Sequence, residues 1–470
     1  MNFISFAFLM LLTPVIVARL TIGRNGTEPF YRFLVLFAST IFVMWHVPEY
    51  ILIMLTSIGT DFVAAKWLHS EPEGSRRRNW ILWGSLGVNL GLLAVFKYTD
   101  FALRLSENIS HQMGFSLVLP HPGILLPMGI SFYTFGSMSY TIDVFRRHMR
   151  PVARFRDFYF FVTFFPHMVA GPIIRADNFF RQFHRRRRVT WRAINEGGYL
   201  IAYGLFLKMV CADNLAGFVN TNWGNPKYAD SATAHNGLAL LFAIQIYCDF
   251  EGYSSIARGL AYWLGFRFPI NFNNPYLASS FRNFWERWHI TLSTWLRDYL
   301  YIPLGGNRGT PTRTMVNLFL VMLLGGLWHG ASLTFVAWGA LHGTALAIER
   351  LLGMNTPQKR SVPVQIAWYL VVQYTVLITW VFFRSADMNG AIEFCRTMGF
   401  GQFDKPPAWL LRGFGYFALP PIAFHIVGAF RERDGNRSPS LMFKAVATGI
   451  MLYLVVTCYG NSGDFIYFQF

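Results

Sequence analysis

The sequence has 470 residues, 53% hydrophobic and 18% aromatic, with only 14% charged and a mean hydropathy of +0.33. Soluble domains carry about 25% charged residues, so an ordinary soluble fold is excluded and the length reflects repeated membrane crossings. The net charge of +17 does not point to nucleic acid, because the arginines sit in short loops between apolar runs, where they set topology.

A spanning helix needs about 20 largely apolar residues. In chain order, such runs fall near 3–20, 30–46, 49–67, 80–97, 123–144, 194–218, 236–264, 314–329, 331–351, 363–383, 413–429 and 440–460. This predicts an all-α polytopic membrane protein with about 11–12 transmembrane helices, forming a single embedded domain over 1–470. The first run, "MNFISFAFLMLLTPVIVARL", lacks a basic n-region and a cleavage site, and is expected to stay as the first span. Basic loops follow the first, third and fifth spans: "RLTIGR", "EPEGSRRRN" and "RRHMRPVARFR". Those loops are expected inside, with the first residue outside.

The segment "FYFFVTFFPHMVAGP", 158–172, breaks the pattern. It is short, has basic flanks on both sides, and contains Pro166 and Gly171–Pro172, which would break a straight helix. A re-entrant piece covered by protein fits it, with an amphipathic surface helix as the alternative. Further along, "LLGMNTPQKR" and "FRERDGNRSPS" fall inside, and the 384–412 loop falls outside. The segment 464–470, "DFIYFQF", also falls outside, which puts Tyr467 near the outer interface, where aromatic side chains are favoured. Cys211 and Cys248 read as membrane-buried thiols, while Cys395 and Cys458 both fall toward the outer face and leave a disulfide open.

The most polar of the apolar stretches runs from 269 to 343. Its first half sets Arg282, Asn283, Glu286, Arg287, His289, Arg297 and Asp298 among Trp285, Trp288 and Trp295. That is too polar for a lipid-facing span and too aromatic for a solvated loop, so helices lying in the inner face are expected. Arg282 and Glu286, four apart, can pair on one helix face. "GGLWHGAS" then places Trp328 and His329 between an apolar run and Gly330. Intramembrane ionisable residues are costly and usually line a cavity. For His329, His289, His342 and His167 the alternative is an interfacial hydrogen bond, and for the tryptophans an anchoring role. The histidines have no metal-ligand spacing, and no nucleotide-binding loop, H-E-x-x-H or G-x-S-x-G motif is present.

"FNNPYLASSFRNFWERWHITLSTWLRDYLYIPLGGN" followed by "LWHGASLTFVAWGALHG" resembles the membrane-bound O-acyltransferases, in the bacterial branch that acylates envelope polymers. "MGISFYTFGSMSYTIDVFR", "FFPHMVAGPIIR" and "IYCDFEGYSSIARGLAYWLGF" match the same branch in the same order, densely over 125–345. Cys248, Glu251 and Leu333 depart from the branch's usual residues.

The resemblance implies a ring of helices around a thin centre, with a funnel from each face. It aligns the family's characteristic histidine with His329 and its second polar position with His289. It also implies that Tyr467 carries the acyl group outward, with an aromatic tag that only anchors the last span as the alternative. The reaction expected is O-acetylation of an extracytoplasmic polysaccharide at the bacterial inner membrane. Acetyl-CoA is the expected donor, with a longer acyl or an aminoacyl group on a carrier protein as the alternative, and no cofactor is expected to be tightly bound. The expected partners are membrane lipids and a periplasmic SGNH-type acetyltransferase or esterase, with no nucleic acid.

Acyl transfer needs a positioned carbonyl, a deprotonated hydroxyl and a stabilised oxyanion. His329 takes the base role in this reading. His289 orients the donor or hydrogen-bonds its carbonyl, and Trp328, Trp288, Asn283 and Arg287 bind substrate. The rival reading is a transporter of acyl groups or lipids without bond chemistry, against which no inverted repeat is found between the halves.

Overall fold

Apolar runs with no water to satisfy their peptide groups must close their hydrogen bonds within the segment, and a helix does this. The computed structural model describes residues 2–23, 25–45, 47–168, 171–185, 188–355, 361–433, 439–461 and 465–466. Among the described residues the secondary structure is helical, apart from one isolated bridge between Ser231 and Gln402.

In chain order the first helices are α1 (Phe6–Thr21), α2 (Pro29–Met44), α3 (Ile51–Ser70), α4 (Arg76–Leu93) and α5 (Thr99–Gln112). They are followed by α6 (Ile130–Phe145), α7 (Phe155–Thr163), α8 (Phe165–Met168), α9 (Ala176–Phe183) and α10 (Trp191–Leu205). Next come α11 (Asp213–Asn222), α12 (Ala232–Leu264), α13 (Phe281–Arg287), α14 (Ile290–Leu296), α15 (Pro311–His329) and α16 (Leu333–Leu351). The last are α17 (Val362–Arg384), α18 (Met388–Phe400), α19 (Ala408–Gly413), α20 (Leu419–Arg433) and α21 (Leu441–Thr457).

Each of the twelve predicted spans is helical, and among the described residues five stretches are long and apolar enough to cross a membrane: Pro48–Ser70, Arg76–Gln112, Trp191–Asn222, Val362–Arg384 and Ala408–Glu432. Three more, α1, α2 and α21, are apolar but shorter. The remaining four, α6, α12, α15 and α16, need no apolar surface all round, because protein covers much of them. Residues 241–257 of α12 are buried almost without interruption, and Gln245, Asp249, Glu251, Ser254 and Ser255 are among them. The predicted loop after residue 97 is also corrected, since α4 continues through a π-helical turn, Ala94–Tyr98, into α5.

The chain divides into two compact units, Met1–Gly197 with Ala257–Pro269, and Gly198–Ile256 with Ile270–Phe470. In the first unit, α3, α4 and α6 meet around a fully buried carboxylate, Asp61. Asn89 donates to both its oxygens at 3.0 and 3.1 Å, Thr141 donates at 3.1 Å, and the Ser85 and Ser137 hydroxyls donate as well. Small hydroxyl side chains let the helices approach closely, while their O–H groups carry the interhelical bonds.

Segment 158–172 is broken as its prolines require. Helix α7 ends at Phe164 (φ −55°, ψ 105°) and α8 restarts at Phe165. Phe158, Phe160, Phe161, Phe164 and Phe165 are all buried, under rings that include Phe179, which stacks on Phe266 at 4.8 Å.

In the second unit, α15 and α16 pack backbone to backbone. A Cβ on Gly326 would lie 2.3 Å from the Phe335 carbonyl oxygen, so only glycine allows the approach. This pairing holds His329, the last residue of α15. All four cysteines are free thiols; Cys211 and Cys248 are buried, and Cys395 and Cys458 form no disulfide.

Replacing Asp61 by Ala should strand several buried donors, each costing about 1–3 kcal/mol. Asp61→Ala is therefore expected to melt well below wild type in detergent, and Asp61→Asn, which keeps one acceptor, to fall between them.

Candidate active site

The short helices α13 and α14 are held by groups from outside the 281–296 segment. Glu349 of α16 is buried and accepts from the Phe281 and Arg282 amides at 2.7 and 2.9 Å, while the Ser280 hydroxyl caps Asn283 at 3.0 Å. A carboxylate at a helix N-terminus satisfies donors that have no partner within the helix. At the other end, Arg287 forms a bidentate pair with Glu432 (2.8 and 3.0 Å) and its Nε donates to Asn283 Oδ1 at 3.1 Å. The expected Arg282–Glu286 pair forms at 2.9 Å on the exposed face.

Between the two helices the backbone turns sharply. Trp288 is extended and His289 is left-handed (φ 42°, ψ 53°), a conformation uncommon for a residue with a side chain. The chain at 271–273 runs alongside and fixes the register: the Asn273 amide donates to the Arg287 carbonyl at 2.9 Å, and the Ile290 amide to the Asn271 carbonyl at 2.8 Å.

This register brings Asn271 to His289. Asn271 Oδ1 lies 3.0 Å from His289 Nδ1 and accepts from the Thr291 hydroxyl (2.8 Å) and the Thr291 amide (3.4 Å), while its Nδ2 donates to Ser254 at 3.2 Å. A backbone amide can only donate, so the atom it meets is the oxygen, and His289 Nδ1 must carry the proton. The lone pair is therefore on Nε2, which is buried with no hydrogen-bond partner among the described residues. His289 lies outside the spanning helices, and burial pushes its pKa down to about 3, so it stays neutral.

His329 lies 6.4 Å from His289, ring centre to ring centre. Its walls are Trp328 at 5.0 Å, Trp338 at 4.9 Å and Phe383 at 5.6 Å. His289 packs edge-on against Phe250 at 4.7 Å.

The structure thus brings together four of the residues singled out in the sequence, Trp288, His289, Trp328 and His329. Trp288 stacks on Phe284 and lies 4.8 Å from Trp380, fully buried. Asn283 and Arg287 are instead occupied by their network with Glu432, half-buried. His342 adjoins Trp338, at 4.7 Å, and is reached through that ring. His167 belongs to the first unit and lines a small pocket with Tyr133, Phe132 and Phe161. Tyr467 lies outside the described residues, but Phe465 does not: it is fully buried against Tyr253 at 4.4 Å and Phe250 at 5.8 Å.

Asn271, Ser254 and Glu349 were not singled out in the sequence. Only the polar cluster "NFNN" just after an apolar run signals Asn271.

The family model of MBOAT, the membrane-bound O-acyltransferase family, matches residues 145–385. A probable alginate O-acetylase of Pseudomonas aeruginosa is 41% identical over 396 residues, covering 83% of this chain and 73% of its own length. A peptidoglycan O-acetyltransferase of Helicobacter pylori is 34% identical over 397 residues, 78% of this chain and 73% of its own. More distantly, a teichoic acid D-alanyltransferase of Bacillus subtilis is 22% identical over 358 residues, covering 73% and 86%.

Asn271→Ala should release the His289 tautomer and lower turnover about tenfold, the value of one hydrogen bond. Asn271→Asp should retain most turnover but raise the His289 pKa, because a carboxylate favours the imidazolium. A pH–rate profile checks this: an acid limb, absent in wild type at ordinary pH, is expected to appear in the Asp variant, with activity falling as pH drops through the raised pKa.

Proposed function

The chain belongs to the membrane-bound O-acyltransferase family, and on that premise we propose that it acetylates an extracytoplasmic polysaccharide from the bacterial inner membrane. The two buried imidazoles, 6.4 Å apart behind aromatic walls, carry this reading. Acetyl-CoA is the donor and no cofactor is held tightly. The polymer resembles those named for the relatives, alginate or peptidoglycan.

His329 is the general base. It takes the proton of an attacking hydroxyl, whose oxygen bonds to the thioester carbonyl carbon. The carbon–sulfur bond then breaks, and the thiolate leaves with the proton that His329 returns. An imidazole suits this role, because it can take up a proton and return it within one reaction.

His289 orients the donor. The sequence left two roles open to it, and the Asn271 bond favours one. With its lone pair on Nε2 the ring accepts and cannot donate, so it suits an amide N–H of the donor's pantetheine arm better than a carbonyl. Trp328 and Trp338 supply a dry wall that strengthens these contacts.

Tyr467 provides the first hydroxyl. Its support is the burial of Phe465, two residues earlier, against the same Phe250 that packs on His289. An extended residue advances about 3.3–3.6 Å, so Tyr467 follows within two residues of this anchored ring. The acetyl-tyrosine then passes its group to a periplasmic SGNH-type acetyltransferase, whose own nucleophile completes the transfer.

With purified full-length chain, acetyl-CoA and a polysaccharide acceptor, His329→Ala is expected to lower kcat about 10²–10⁴-fold with the protein still folded. Tyr467→Phe should abolish transfer to the acceptor. Full activity of Tyr467→Phe would remove the carrier step, and full activity of His329→Ala would remove the base.

A further inference from the structure

Two carboxylates and one ammonium are buried together in the second unit. The π-helical turn Phe206–Ala212 joins α10 to α11, and its wider winding brings Lys208 and Asp213, five residues apart, into contact at 2.6 Å. Asp249 on α12 approaches the same ammonium at 2.9 Å. Lys208, Asp213 and Asp249 are 1%, 4% and 3% exposed. Buried charges need compensation, and two ionised carboxylates exceed what one ammonium supplies.

The second oxygen of Asp249 has a donor from far along the chain: it accepts the backbone amide of Ile466 at 2.7 Å. The neighbouring Phe465 fills the space over Tyr253 and Phe250, and Tyr253 also lies 5.8 Å from the Lys208 ammonium. Two more bonds lead into this segment: the Gly460 amide donates to the Met209 carbonyl at 2.9 Å, and Asn214 donates to the Cys458 carbonyl at 2.9 Å. The π-turn and the start of α11 therefore hold 458–460, and Asp249 holds 466.

We infer that Asp249, fixed by Lys208, is a latch that grips the Ile466 amide and positions the segment leading to Tyr467 beside the histidine pair. Asp249 touches no reacting atom and is a positioning residue. Its adjacent residue in α12, Phe250, forms one wall of the His289 site, so the latch and the site share a helix turn. The inference rests on the reading of Tyr467 as acyl carrier.

Two variants break the same bond from opposite sides. Asp249→Leu removes both carboxylate oxygens, and with them the acceptor for the Ile466 amide, and leaves the Lys208–Asp213 pair in place. Ile466→Pro removes the donor and leaves the charged cluster untouched. In the whole purified chain, each should speed deuterium exchange in peptides covering 460–470. Each should also lower kcat for acetyl transfer about 10–100-fold, the value of one hydrogen bond to a charged group, with KM for acetyl-CoA unchanged. The double variant should be no worse than either single one, because the two share one interaction.

Exchange as slow as wild type in both variants would overturn the latch. So would fast exchange with unchanged kcat, or losses that multiply in the double variant. Full activity of Tyr467→Phe is a separate result: it defeats the carrier reading, while the exchange measurements still report whether Asp249 holds the segment.

Discussion

A buried imidazole is chemically useful only when its lone pair is on a defined nitrogen, and in this protein one asparagine oxygen decides that for His289. Asn271 Oδ1 gathers three donors, His289 Nδ1 and both the amide and the hydroxyl of Thr291. Rotating the Asn271 amide would set its N–H groups against the donors from Thr291, so the arrangement has one solution. The left-handed backbone at His289 follows from the same constraint, because the turn has to deliver the ring to Asn271 while Ile290 bonds the Asn271 carbonyl. The supports behind it, Glu349 under α13 and Glu432 beside Arg287, fix where that turn begins.

The rest of the molecule applies the same rule, that polar groups in an apolar bundle must be satisfied by one another. Asp61 in the first unit is satisfied by hydroxyls and an amide, a solution that joins three helices without a second charge. The Lys208 cluster in the second unit is satisfied by ions and, at its open side, by the backbone of a distant segment. Desolvation makes both expensive to disrupt, but only the second draws on a backbone amide 217 residues away. This is why a structural role fits Asp61 and a positioning role fits Asp249.

Much of the fold was legible in the sequence, because apolar runs of helical length are a direct consequence of excluding water. All twelve predicted spans are helices, and the short 158–172 segment breaks where its proline predicts. What could not be read was which helices face protein rather than lipid. α12 looked like another span, yet its middle is enclosed, which is how it carries Asp249 and Glu251. His329, His289, Trp328 and Trp288 stood out because ionisable or aromatic residues are unusual among such runs. Asn271 and Asp249 did not, since their importance depends on contacts spanning 18 and 217 residues of sequence, which no local pattern records. Arg287 and Asn283 stood out for the same reason as the histidines, but Arg287 is spent on Glu432 and Asn283 on Arg287 and Glu286.

The central claim is that the histidine pair transfers an acyl group from a thioester to a hydroxyl of this chain. Its most direct measurement is mass analysis of the purified protein after incubation with isotopically labelled acetyl-CoA and no polysaccharide acceptor. The account predicts a labelled acetyl group on the peptide containing Tyr467 in wild type, and none in His329→Ala. Label on Tyr467 at wild-type levels in His329→Ala, or an unlabelled wild-type chain whose thioester is nonetheless consumed when acceptor is added, would contradict it.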